Sequence, residues 1–154
     1  MPKISAGLLM YRRTGDGIEV FLVHPGGPFW RDKDAAAWSV PKGEIDQDED
    51  PLHAARREFQ EETGTLPEGP FLELTPIRQR GGKTVRAWAF EGDCNPAQIR
   101  SNVFEMEWPP RSGKRGRFPE VDRARFLTPD EAKRLINPAQ IPLIDDLLRQ
   151  VDQP

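Results

Sequence analysis

One cysteine, one tyrosine and two histidines in 154 residues exclude several kinds of protein at the outset. Cys94 has no partner in the chain, so an intrachain disulfide and a cysteine-built structural zinc site are both ruled out. The longest apolar run near the N-terminus, residues 7–10, is far too short for a secretory signal or a membrane span. The expectation is a soluble protein in a reducing cytoplasm, with no membrane partner. There is no basic excess either: the formal net charge is −3 and the sequence pI is about 5.5. That balance argues against binding to bulk duplex nucleic acid, which rewards a basic face. Serine or cysteine nucleophile motifs, internal repeats and long low-complexity tracts are absent, and no segment reads as a linker. The length suits one domain, taken here as residues 1–154, with room for a sizeable core.

What the chain does contain is periodic. Residues 3–13 and 18–24 read as two strands joined by a turn at Thr14-Gly15-Asp16-Gly17, a hairpin pattern. A long loop over 25–37 and a short strand over 38–40 follow. The clearest helix spans 51–63. Asp50 is a good N-cap, Pro51 suits the first helical position and Gly64 suits the C-terminal cap. Leu52, Ala55 and Phe59 recur at helical spacing and mark its core-facing stripe. Strands are expected over 71–80 and 83–91, joined by Gly81-Gly82, then over 104–108 and 123–127, with a basic loop at 111–117 between the last two. Thr128-Pro129-Asp130-Glu131 is a capping-box pattern opening a helix that ends near 137, and a final helix covers 142–151. Strands and helices mix without regular alternation. The expected fold class is therefore α/β in the α+β sense, a mixed sheet flanked by helices.

The helix over 51–63 also carries Glu58, Glu61 and Glu62. At 100° per residue these share one side, about a quarter turn from the apolar stripe, with Ala54 among them. Like charges at i,i+4 repel, and anions near a helix C-terminus oppose its dipole. Most acidic runs are solvated faces. Three carboxylates collected at this place, however, favour a hard divalent cation such as Mg²⁺, which takes oxygen ligands.

The spacing around the helix is specific. Gly43 is followed after five residues by Glu49, then after seven by Arg57-Glu58-Phe59, then Glu61-Glu62 and Gly64-Thr65. This resembles the Nudix box, G-x5-E-x7-R-E-U-x-E-E-x-G-U, where U is a bulky apolar residue. All seven fixed positions match, an event on the order of 10⁻⁹ per start position by chance. Thr65 departs from the pattern at the last U.

The resemblance implies an α/β/α sandwich and hydrolysis of a diphosphate linkage in a nucleotide substrate, with Mg²⁺ or Mn²⁺ as cofactor. It further implies that Glu61 and Glu62 are the principal metal ligands and that Glu58 is a further ligand or the base that activates water. Arg57 would orient the carboxylates, Gly43 would let its carbonyl approach the metal, and Glu49 would be structural or sit just outside the metal's ligands. Lys42 is placed to meet a phosphate. Glu120 is the first candidate for an additional acid, ahead of Glu105 and Glu107. His24 and His53 read as structural or solvated rather than as ligands, and Cys94 as a turn residue. A homodimer is compatible with the family.

For the substrate, Trp30 and Trp38 flank the segment before the box and suit base stacking, although Trp38 also suits the core. Arg111, Lys114, Arg115 and Arg117 form a basic cluster suited to a phosphate chain. Ser5-Ala6-Gly7-Leu8-Leu9, Trp38-Ser39-Val40-Pro41-Lys42-Gly43 and Lys83-Thr84-Val85 followed by Trp88 are similar to diadenosine tetraphosphate hydrolases. The tyrosine which that group tends to place before the tryptophan is Ala87 here. The pattern also resembles predicted bacterial nucleoside triphosphate pyrophosphohydrolases. Lys83 is accordingly a candidate substrate contact beside Trp30, Lys42 and Arg115. Three readings follow: a hydrolase of nucleoside or dinucleoside polyphosphates; the same scaffold acting on nucleotide sugars, inositol pyrophosphates or RNA 5′ ends; and a non-catalytic binding module. The intact box argues against the last.

Overall fold

A computed structural model describes residues 3–151. Its centre is a mixed sheet built on β1 (Ile4–Thr14), which pairs antiparallel with β2 (Gly17–Pro25) and β3 (Lys42–Glu44). The strand β4 (Leu72–Glu73) and β5 (Ile77–Arg78) both lie along β6 (Thr84–Glu91), and β6 runs parallel to β1. A separate hairpin of β7 (Val103–Glu107) and β8 (Arg115–Pro119) precedes β9 (Val121–Leu127), which closes the sheet against β2. Among the described residues there are three α-helices: α1 (Pro51–Thr63), α2 (Pro129–Leu135) and α3 (Ile141–Val151).

The sheet has a core on each face, which explains why β1 is a nearly unbroken apolar run. Ala6, Leu8 and Met10 point to one side and pack with Phe21, Phe59 and Phe90 under α1. Leu9 and Tyr11 alternate to the other side, where they meet Trp38, Leu127 and Leu143 under α2 and α3. The expected α/β/α arrangement is the one found. No helix of the described residues is long and apolar enough to cross a membrane.

Helix α1 begins and ends where its caps dictate. Asp50 Oδ2 accepts the His53 N–H at 3.0 Å, and Gly64 takes φ 77°, a left-handed conformation that a side chain would oppose. Its buried face is wider than the sequence stripe: Ala54 is fully buried alongside Ala55 and Phe59, whereas Leu52 is half-buried.

Several boundaries differ from expectation for local reasons. The strand over 71–80 is broken after Glu73, because Pro76 offers no N–H and the Thr75 N–H is taken by Asp146 at 2.7 Å. Residues 38–40 make two isolated bridges, Ser39 to Val23 and Trp38 to Ile136, instead of a strand. The basic segment is not simply a loop. Arg115, Gly116, Arg117 and Phe118 alternate outward and inward opposite Phe104 and Met106, so its second half is strand β8.

Candidate active site

Glu58, Glu61 and Glu62 project from the last two turns of α1, and the rest of the site closes around them. The loop end of β3 lies against the helix so closely that a Cβ on Gly43 would sit 2.1 Å from the Glu58 carboxyl carbon. Only glycine fits that position. The same approach brings Lys42 beside Glu62. From the opposite side comes Glu120, in the short link between β8 and β9. Its N–H donates to the Asn102 carbonyl at 2.8 Å, and the Asn102 N–H donates to the Glu61 carbonyl at 2.8 Å. This main-chain relay fixes the Glu120 segment to the C-terminal turn of α1.

Arg57 organises the row. Its Nε and Nη2 donate to the two oxygens of Glu49 at 2.8 and 3.0 Å, the fork geometry that makes arginine–carboxylate pairs strong. Its Nη1 donates to Glu58 at 3.0 Å and to Glu61 at 3.3 Å. The Glu49 side chain is only 11% exposed, and its pairing with Arg57 holds its carboxyl down at about 2. Arg57 is correspondingly pushed up. A carboxyl depressed on folding contributes stability that is present above its ordinary value of 4.5 and is lost as pH falls through the folded value. Glu49→Gln is therefore expected to destabilise the protein by about 1.5–3 kcal/mol at pH 7, measured by urea unfolding, and the gap from the native protein should shrink as pH drops below 4.5. An unchanged gap at low pH would mean that the charge of Glu49 is not its source.

Glu62, Glu58 and Glu120 are in the opposite situation. Glu62 is 8% exposed; burial, with Glu58 and Glu120 nearby, pushes its carboxyl up to about 9, and Lys42 only partly offsets this. Glu58 is raised by burial and by Glu61, against the pull of Arg57. Glu120 is raised by burial and by Glu61. Lys42 is lowered by burial and then by its neighbour Lys83. Such a set of buried and half-buried, mutually repelling acids is costly by itself. It fits a hard divalent cation in its donor chemistry, and Gly43 leaves open the one approach that a Cβ would fill. Among the described residues, no three acidic, histidine or cysteine side chains converge on a metal position as they stand. Arg57 holds Glu58 and Glu61 to its own side.

Two cavities flank the row. One of about 250 Å³ is walled by Trp30, Val40, Lys42, Glu62, Glu120 and Asn137. The other, about 540 Å³ and more open, is walled by His53, Arg56, Arg57, Gln60, Glu61 and Asn102. The structure thus brings Trp30, Lys42, Glu62 and Glu120 to one cavity, with Arg57 and Glu61 facing the other. Lys83 lies 3.7 Å from Glu44, beside Lys42. Arg115 sits on β8, 3.6 Å from Glu105. Trp38 is a core residue at 1% exposure, its Nε1 donating to Asp34 at 2.7 Å. His24 is fully buried against Asp122 and the Lys33 carbonyl, and His53 is exposed.

Sequence reasoning did not single out Asn102, Asn137 or Gln140. Asn137 stands where the helix pattern stops and carried only an end-of-helix signal. Gln140, which shapes the first cavity by accepting the Val40 N–H at 3.0 Å, had no local signal at all.

A family model described as the NUDIX domain matches residues 1–147. The chain therefore belongs to the NUDIX family. Its fold is similar to that of a C. elegans Ap4A hydrolase, seen in a binary complex, with a TM-score of 0.70 and 19% identity over 96% of this chain and 98% of that one. It is also similar to the NUDIX domain of Shewanella oneidensis NrtR complexed with ADP ribose, with a TM-score of 0.68 and 14% identity over 98% of this chain and 89% of that one. In sequence it is 40% identical over 67 residues to an RNA pyrophosphohydrolase of Rhodospirillum rubrum, covering 42% of this chain and 39% of the relative. It is 53% identical over 38 residues to one of Roseobacter denitrificans, covering 25% of this chain and 24% of the relative. The matched stretches thus span well under half the length of these curated relatives.

Proposed function

We propose that the protein is a divalent-metal-dependent hydrolase that cleaves a diphosphate linkage in a nucleoside or dinucleoside polyphosphate with an activated water. The observation that carries this reading is the crowding of Glu58, Glu61, Glu62 and Glu120 at one end of α1, where burial raises Glu58, Glu62 and Glu120 and two lysines, Lys42 and Lys83, border the row. Membership of the NUDIX family agrees with it.

Glu58, Glu61 and Glu62, with the main chain at Gly43, would hold Mg²⁺ or Mn²⁺. When bound, the metal neutralises the diphosphate charge and lowers the pKa of water. Lys42 and Lys83 supply fixed positive charge for phosphate oxygens, and the partial burial of Lys42 makes that charge more effective than it would be in water. Glu58 or Glu120 takes the proton of the attacking water, a role suited to a carboxyl raised towards neutrality. Arg57, anchored by Glu49, keeps Glu58 and Glu61 in register. Trp30, at the mouth of the smaller cavity and 40% exposed, offers a stacking surface for a base.

The test is a panel of diadenosine tetraphosphate, the common nucleoside triphosphates, an ADP-sugar and an inositol pyrophosphate, incubated with Mg²⁺ and analysed by mass. Cleavage between phosphates of a nucleoside polyphosphate, lost in EDTA, is the expected result. If the folded protein leaves every nucleoside polyphosphate intact with Mg²⁺ and with Mn²⁺, the reading fails.

A further inference from the structure

His24 takes no part in the chemistry described above, and its place is costly. It stands near the end of β2 at 0% exposure, where an apolar side chain would pack without penalty and an imidazole needs a partner for each polar atom. It has both partners. Nδ1 lies 2.8 Å from Asp122 Oδ1 on β9. Nε2 faces the Lys33 carbonyl, which can only accept, so a proton on Nε2 is donated to Lys33. Arg123 packs around the pair, its Nη2 3.2 Å from Nε2 and its Nε 3.5 Å from Asp122 Oδ1. The Trp38 ring meets the imidazole edge to face, centroids 5.3 Å apart. The ring of His24 is thus a bridge from β9 to the loop of residues 26–37.

What Lys33 carries is Trp30. The Lys33 N–H donates to the Trp30 carbonyl at 3.0 Å and the Trp30 N–H to the Gly27 carbonyl at 3.3 Å, so residues 27–33 form linked turns. Lys33 Nζ also lies 5.3 Å from the centroid of the Trp30 ring. The loop is tied on either side of this unit: the Gly26 N–H donates to the Glu120 carbonyl at 2.9 Å, and Asp34 accepts from Trp38 Nε1 at 2.7 Å. Between these ties the Trp30 side chain stands 40% exposed beside the smaller cavity. An exposed ring that is free to turn must be ordered when a base stacks on it, and that ordering subtracts from affinity. A buried side chain bonded to the same turn removes the cost in advance.

We propose that His24 is a positioning residue: braced by Asp122, it holds the Lys33 main chain and thereby presents Trp30 to the base of the substrate. This rests on the nucleoside-polyphosphate reading of the site. It adds that affinity for the base, as distinct from the phosphates, is set by a buried side chain that touches no substrate atom.

The experiment uses the full chain labelled with 5-fluorotryptophan, with the Trp30 resonance assigned by Trp30→Phe. Dissociation constants of ATP and of inorganic tripolyphosphate, which has no base, are measured by calorimetry with Ca²⁺. An asparagine amide reaches about as far as Nδ1 and a glutamine amide about as far as Nε2. His24→Asn should therefore release Lys33, and His24→Gln should keep it. In His24→Asn the Trp30 fluorine line is expected to broaden or split, and ATP to bind about tenfold more weakly, within the range for one stacked base. Tripolyphosphate affinity should stay within twofold, and His24→Gln should restore both the line and the ATP affinity. On a Trp30→Ala background, His24→Asn should weaken ATP by less than twofold further, because the two residues act as a unit. Asp122→Ala, at a side chain 29% exposed, loosens the same ring and should reproduce the pattern at smaller amplitude; it carries the test if His24→Asn does not fold. An unchanged Trp30 line and ATP affinity, equal weakening of tripolyphosphate, or additive losses in the double variant would overturn the proposal and leave the hydrolase reading intact. ATP binding no tighter than tripolyphosphate in the native protein, with a Trp30 line that still answers to His24→Asn, would instead remove the nucleoside from that reading and with it the role given to His24.

Discussion

Glu61→Gln is expected to lower Mg²⁺-dependent turnover on the order of 10³-fold, with the melting temperature and circular dichroism spectrum close to those of the native protein. The two halves of the expectation come from the same geometry. The Glu61 side chain is 35% exposed and, among the described residues, bound only by Arg57, so the amide replaces it without opening a cavity or stranding a buried donor. Its position one turn from Glu58 and next to Glu62 also means that one unfavourable charge is removed from the helix C-terminus. The main-chain bond from Asn102 to the Glu61 carbonyl does not depend on the side chain. What is lost is one hard anionic oxygen donor of the acidic row proposed to hold the metal. Full metal-dependent turnover in this variant would place the metal elsewhere.

Glu62→Gln is expected to raise the melting temperature of the metal-free protein above pH 7, an unusual result for a change at a buried position. Burial, with Glu58 and Glu120 nearby, holds the Glu62 carboxyl up at about 9, against an ordinary value of 4.5. A group raised in this way keeps its proton better when folded. Its contribution to stability is complete below pH 4.5 and is lost as pH rises through 9. The native metal-free protein should therefore lose stability across that window more steeply than the variant, each kcal/mol of difference amounting to about 2–4 °C. Mg²⁺ reverses the order: it stabilises the native protein by about 2.7 kcal/mol at a hundred times its dissociation constant and does little for the variant, which should also be inactive. The measurement is a set of thermal melts of both proteins from pH 5 to 9, with EDTA and with Mg²⁺. A variant that melts below the native protein at pH 8 in EDTA would show that Glu62 is not a strained acid.

Much of the fold was legible because its signals are local. Asp50, Pro51 and Gly64 fix both ends of α1, Thr128 and Glu131 fix the start of α2 through a reciprocal capping box, and the turn at Thr14-Gly15-Asp16-Gly17 between two β-rich runs gives the first hairpin. The sheet order was not legible. The pairing of β1 with β6 joins Ile4 to Thr84 and Tyr11 to Glu91, and no pattern within either segment encodes that register. The hairpin of β7 and β8 was half hidden, because the charges of Arg115 and Arg117 mask a two-residue alternation that only the facing Phe104 and Met106 make plain.

The site divides in the same way. The spacing from Gly43 to Glu62 places the carboxylates on one helix end without any tertiary information. That Glu62 is buried, that Lys42 and Lys83 adjoin, and that Glu120 reaches the same cavity all depend on chain segments closing over α1. Trp38 illustrates the reverse. Its place beside the box suggests a base-stacking role, yet it fills the core against Ile144 and its neighbours, leaving Trp30 as the exposed ring at the cavity.

Glu58, Glu61 and Glu62 are proposed to hold a divalent cation. A titration of the protein with Mn²⁺, following the free-ion signal by electron paramagnetic resonance, tests it without assuming a substrate. Saturable binding that Mg²⁺ displaces and that tightens as pH rises from 6 to 8 is expected, since protons compete for the same oxygens; Glu61→Gln should weaken it at least tenfold and the combined Glu61→Gln, Glu62→Gln variant should abolish it. Undiminished Mn²⁺ binding in the double variant, or no binding by the native protein even with a nucleoside triphosphate present, would contradict it.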